Sequence, residues 1–160
     1  MKTIFTKDQV NKKMFVTREF AASLEKTWRA WTEPALLDQW WAPKPWKAET
    51  KTMDFKEGGK WHYCMVGPAG EKHWGIVKYT KVIVYKLFAG TDAFCDENEI
   101  VNNAMPGTDW KIEFHKTNTG TEVRVEMTFS TEQTMQTMID MGFQQGFSMA
   151  HDNLDELLKK

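Results

Sequence analysis

Residue types able to do chemistry are sparse in this chain, and several of them gather in one hairpin. Trp61-His62-Tyr63-Cys64-Met65 precedes the turn signal Gly67-Pro68-Ala69-Gly70, and Lys72-His73-Trp74-Gly75-Ile76 follows it. Symmetric pairing of the two arms sets Cys64 opposite His73 and Tyr63 opposite Trp74. Alternation then puts His62, Cys64 and His73 on one face, two imidazoles and a thiol of the kind that can ligate a metal. A fourth ligand and nearby carboxylates are missing, so the sequence predicts no metal; a half-exposed outer face accommodates the same three side chains.

The opposite face is aromatic. Trp61, Tyr63, Trp74, Trp110, Phe114, Met127 and Phe129 all point, on strand alternation, toward the C-terminal helical segment, where Met138, Met141, Phe143 and Phe147 answer them. Such a set either fills a solid core or lines a pocket, and pattern alone does not separate the two. His151 follows Phe147 by one helical turn. It is either a polar anchor inside the pocket or a satisfied core histidine. Trp40-Trp41-Ala42-Pro43-Lys44-Pro45-Trp46 reads as a lid, with Trp41 and Trp46 at the cavity mouth.

Signals for catalysis are missing. There is no Gly-x-Ser-x-Gly elbow, and neither Cys64 nor Cys95 has an activating partner beyond the hairpin. Gly58-Gly59 is a turn pair rather than a phosphate loop. Asp140, Asp152, Asp155 and Glu156 read as a solvated helix face. No catalytic residue and no cofactor is predicted.

The elements that must position these residues follow from periodicity. Residues 1–13 read as an N-terminal arm and 14–160 as one domain. Met14 to Phe20 alternates as a strand. Ser23 caps a helix with Leu24, Trp28 and Trp31 on one stripe, and Pro34 opens a second short helix ending near Trp41. Strands follow over 47–55, 60–66, 71–80, 83–94, 110–116 and 123–129; residues 95–108, with the Pro106-Gly107 signal, form a loop. The period then becomes helical through Met135, Met138, Ile139 and Phe143. Gly142 interrupts it, and Phe147, Ala150, Leu154, Leu157 and Leu158 share a later face. The fold class is therefore α+β: a curved antiparallel sheet of about six to seven strands around a long C-terminal helix, the only cover available for the apolar face. Space is left between the two.

Composition narrows the partners. The 160 residues are 41% hydrophobic and 27% charged, with a net charge of −1, so nothing points to nucleic acid or an anionic membrane. No stretch reaches the roughly 20 apolar residues of a membrane-spanning helix, and Met1 to Asn11 lacks a signal-peptide run. Two cysteines are too few for a disulfide scaffold, which predicts a reduced, cytoplasmic protein, monomeric or homodimeric. Eight Trp, ten Phe and ten Met supply bulky, adaptable surface.

The chain also resembles a known family, the activator of the ninety-kilodalton heat-shock protein ATPase homologues in their C-terminal-domain form. The resemblance is carried by Arg18-Glu19-Phe20-Ala21-Ala22, Trp28, Ala30-Trp31-Thr32-Glu33-Pro34, Leu37-Asp38-Gln39-Trp40-Trp41-Ala42-Pro43, Gly58-Gly59-Lys60-Trp61, Gly67-Pro68-Ala69-Gly70, Thr121-Glu122-Val123, and Gly146-Phe147 with Leu154 and Leu157. These span nearly the whole chain from about Phe15. The family lies within the helix-grip superfamily of START-like and birch-pollen-allergen domains, whose members commonly bind apolar molecules between sheet and helix. The resemblance implies a binding module for a small hydrophobic molecule. Its alternatives are a module stimulating a heat-shock chaperone ATPase, and an enzyme acting on a hydrophobic substrate through His151 or Tyr63.

Overall fold

Burial in the second strand alternates residue by residue, as its sequence does: Met14, Val16, Arg18 and Phe20 are buried and their neighbours are not. The computed structural model describes residues 2–105 and 107–160; Met1 of the expected arm and Pro106 of the expected turn lie outside the described residues. In chain order the elements are β1 (Ile4–Asp8), β2 (Lys13–Phe20), α1 (Leu24–Thr32), α2 (Pro34–Trp40), β3 (Lys47–Met53), β4 (Lys60–Val66), β5 (Lys72–Ile83), β6 (Leu87–Cys95), β7 (Thr108–Lys116), β8 (Thr121–Thr128), α3 (Glu132–Asp140) and α4 (Phe143–Leu158). All strands join one antiparallel sheet in the order β1-β2-β8-β7-β6-β5-β4-β3.

The sheet has one strand more than the sequence predicts. The additional strand is β1, which lies in the expected arm and pairs along β2, with Phe5 opposite Val16. Its charged residues hide an edge strand from a periodicity reading. At the helices local chemistry sets the boundaries as expected, whereas β5 runs on to Ile83 and β6 begins only at Leu87, so residues 84–86 are the turn between them rather than strand. Ser23 Oγ accepts from the Lys26 amide, and Pro34 occupies the first turn of α2. Gly142, at φ +89°, separates α3 from α4 in a backbone conformation that costs other residues energy.

One expectation is corrected. Gly67 N donates to Glu71 O, so the β4–β5 loop runs from 67 to 71 and the register shifts by one. Cys64 pairs with Trp74 and Met65 with His73. A one-residue slip reverses every side chain of one arm. Trp61, Tyr63, Met65 and His73 therefore face inward, while His62, Cys64, Trp74 and Ile76 face outward. Nor is that outer face half-exposed. His62 and Cys64 are buried beneath the segment after β6, where His62 Nε2 donates to the Asp96 carbonyl at 3.0 Å and Lys51 Nζ to that of Glu97 at 2.9 Å.

Helix α4 lies across the inner face, packed with α1 and α2. Its second half is clamped. Arg18, 3% exposed on the inner face of β2, donates to Asp152 at 2.8 Å and Asp155 at 3.0 Å. Asp152 remains exposed, as a solvated face requires, while Asp155 is partly covered; their spacing of three residues puts both on one side of the helix, over β2. Ala150, Leu154 and Leu158 bury beside them, and Trp40 Nε1 donates to the Ala30 carbonyl at 2.8 Å, locking α2 to α1. No helix among the described residues is long and apolar enough to cross a membrane.

Candidate ligand-binding site

The first half of α4 has no such clamp, and a cavity of about 260 Å³ opens beneath it. Its walls come from β4 (Tyr63, Met65), the start of β5, the end of β6 (Asp92 to Phe94), Trp110 of β7, Met138 of α3, and Phe143, Gly146 and Phe147 of α4. Trp41 and Pro43, just after α2, close one side. A second, inner chamber of about 30 Å³ shares Trp41, Asp92 and Trp110 with the first. The rings interlock edge to face: Phe147 meets Trp41 at 6.0 Å and Trp110 at 5.8 Å. Gly75 makes room on β5, because a Cβ there would lie 3.1 Å from the Tyr63 ring.

Within this apolar wall stands one carboxylate. Asp92 Oδ1 accepts from the Thr108 amide at 3.0 Å, and Oδ2 accepts from Trp110 Nε1 at 2.7 Å. Burial pushes its pKa from 3.8 up to about 6, although both hydrogen bonds oppose that shift. Burial, and then the Asp92 charge, raise the pKa of the Tyr63 phenol. Among the described residues, Thr108 Oγ1 beside Asp92 is buried without a hydrogen-bond partner, and buried Trp41 Nε1 has only the Tyr63 phenol near it, outside good hydrogen-bond geometry. The arrangement can hold an apolar body and present it with one acceptor.

The residues predicted from sequence divide into groups. Tyr63, Trp110, Met138, Phe143 and Phe147 converge on the main cavity, and Trp61 lines the inner chamber, stacked on Tyr63 at 4.2 Å. Trp41 lines both chambers. Trp46 packs against the His73 ring at 5.2 Å and does not line the cavity. Trp74 borders the cavity, yet its ring lies against His62 on the outer face, 4.9 Å away, because of the register shift. Phe114 and Met127 are in the solid core, where Phe114 meets Trp28 at 5.0 Å.

His151 is also not brought to the cavity. Phe147 covers it at 4.2 Å, and Phe20, Trp31 and Trp40 box the other sides. Desolvation first, and the Arg18 charge second, lower its pKa from 6.5 to about 3. The sequence reading missed Asp92. Its signal was present in the period-two series Phe88, Gly90, Asp92, Phe94, an acid at an inward position of a strand. Among the described residues, no group of three or more His, Cys, Asp or Glu side chains is placed to hold a metal ion.

Residues 21–159 match the family model described as Activator of Hsp90 ATPase homolog 1-like protein. No curated protein matches the chain in sequence. Among solved structures it is similar to protein Ms6760 from Mycobacterium smegmatis, at 30% identity and a TM-score of 0.91, with 99% of this chain and 97% of that one covered. A protein from Arthrobacter aurescens is similar at 29% identity and TM-score 0.91, covering 98% and 91%. Protein NE0264 from Nitrosomonas europaea is similar at 28% and 0.83, covering 95% and 97%.

Proposed function

The chain belongs to the Activator of Hsp90 ATPase homolog 1-like family and has its helix-grip fold, and from that premise we propose that it is a cytoplasmic binding module for a small apolar or amphipathic molecule. The observation that carries this reading is the cavity of about 260 Å³ under the unclamped half of α4, walled by aromatic and Met side chains. A preformed apolar hollow with few polar groups is the usual form of a small-molecule site. Burying about 200 Å² of apolar ligand surface contributes ~5 kcal/mol before the cost of ordering. Two free thiols accord with a reducing compartment.

The test is mass. A molecule carried through purification adds to the mass measured under native conditions and is lost on denaturation. Trp41 and Trp110 at the wall supply a second readout, since an apolar probe such as octanol displaces water from beside their rings. Equal masses together with unchanged emission would end the reading.

The family description supports a second reading, a protein-interaction module that stimulates a heat-shock chaperone ATPase. It requires a rise in the chaperone's hydrolysis rate on adding this protein. No rise at saturation removes it.

A further inference from the structure

Asp92 is the only Asp or Glu lining the cavity among the described residues, and no ion pair there includes it. Each of its oxygens accepts one hydrogen bond, from Thr108 N and Trp110 Nε1. An ionised carboxylate has about four acceptor positions, so about two remain for an occupant. Both donors hold the ionised form in place, as charge-assisted hydrogen bonds do. The rings of Trp41, Tyr63, Trp110 and Phe147 line the same cavity, and their faces carry negative potential. A half-buried anion on an aromatic-walled cavity, with no ion-pair partner among the described residues, is half of an ion pair.

Resting on the reading of the cavity as a ligand site, we propose that its occupant is an amphipathic organic cation, a protonated amine on an apolar body, with the ammonium against Asp92 and the apolar body along Phe143, Phe147 and Met138. The aromatic faces add cation–π attraction to the ion pair. A carboxylate or sulfate ligand of the same length meets repulsion from Asp92 instead. Burial raises the Asp92 pKa to about 6, so the ion predominates in neutral solution, and a bound ammonium draws that pKa down.

Other titratable groups near Asp92 are Tyr63 on β4 and Asp109 on β7, and His73 on β5 lines the same cavity farther along the sheet. The cavity-lining residues of the α2–β3 segment, α3 and α4 are Trp41, Pro43, Met138, Phe143, Gly146 and Phe147, none of which titrates. His73 is the other ionisable side chain on the cavity wall whose charge could answer pH, and a His73→Asn variant removes it from the comparison.

The experiment titrates the full chain with octylamine, octanol and octanoate, followed by Trp emission and calorimetry. Octylamine, protonated throughout, is expected to bind about tenfold or more tighter than octanol near neutral pH, with octanoate weakest. That preference shrinks below about pH 5, in the wild type and in His73→Asn alike, and disappears in Asp92→Asn. If Asp92→Asn does not fold, the pH dependence of the wild type decides alone. Octanol binding as tightly as octylamine at every pH overturns the cationic ligand and leaves the cavity reading standing. Failure of all three probes to bind overturns both.

Discussion

Acidification from about pH 7 to about pH 5 is expected to cost the fold about 2 kcal/mol through His151 alone. The ring is 1% exposed, boxed by Phe20, Trp31, Trp40 and Phe147. Its Nδ1 meets Thr3 Oγ1 at 3.1 Å, and that hydroxyl already accepts from Arg18 Nη1 at 3.0 Å, so its own proton is free for Nδ1. The remaining ring proton sits on Nε2, which has no partner among the described residues. A charged imidazolium here faces apolar rings and the Arg18 cation, which is why its pKa falls from 6.5 to about 3. The unfolded chain takes up the proton near 6.5 and the folded chain only near 3. Stability is therefore complete above the unfolded value and is lost as pH falls, by about 1.4 kcal/mol per unit. Asp92 works in the opposite sense. Its folded pKa is raised from 3.8 to about 6, so stability is recovered as pH falls through that window, and the wild-type profile is partly flattened. His151→Leu, close in volume, isolates the histidine. Urea unfolding of both proteins at both pH values should show the variant losing about 2 kcal/mol less than the wild type on acidification. The same loss in both would mean that His151 titrates as it does in water, and the reasoning from its burial would be refuted.

Other perturbations test the clamp, the break and the wall. Gly142→Ala should destabilise by about 1 kcal/mol, read as a lower urea midpoint, since a Cβ meets nothing closer than 3.9 Å and only the positive φ is penalised. Arg18→Ala removes a buried cation from Asp152 and Asp155 and should cost about 3 kcal/mol, whereas Arg18→Met, which keeps the apolar stem, should cost clearly less; equal costs in thermal unfolding would show that the charge alone, and not packing of the stem, holds α4. Phe147→Ala should cost about 3–5 kcal/mol and also open His151 to water, so the acid loss of stability should weaken in the same variant. Among molecules that remain folded, octanol affinity should fall further than the residual stability explains; matching losses would make Phe147 a core residue only.

Periodicity read along the chain carried the elements because it reports local covalent geometry. The alternation at Met14 to Phe20, the Ser23 cap, Pro34 at the start of α2 and the break at Gly142 depend on residues within one turn or one strand of each other. For the same reason the aromatic set of Tyr63, Trp110, Phe143 and Phe147 was visible as a set. Register was not. The loop over 67–71 is longer by one residue than its turn signal suggests, and that residue moves Trp74 outward and His73 inward. Pairing of β1 with β2, and of Arg18 with Asp152 and Asp155, joins segments with no mark of each other in sequence. The division of the rings between solid core at Phe114 and Met127 and cavity wall at Trp110 and Phe147 is likewise tertiary. A side chain's type says that it must be buried. Whether it meets another side chain or an empty space depends on how far apart the sheet and α4 are held, and the Arg18 clamp lies toward the end of that helix away from the cavity.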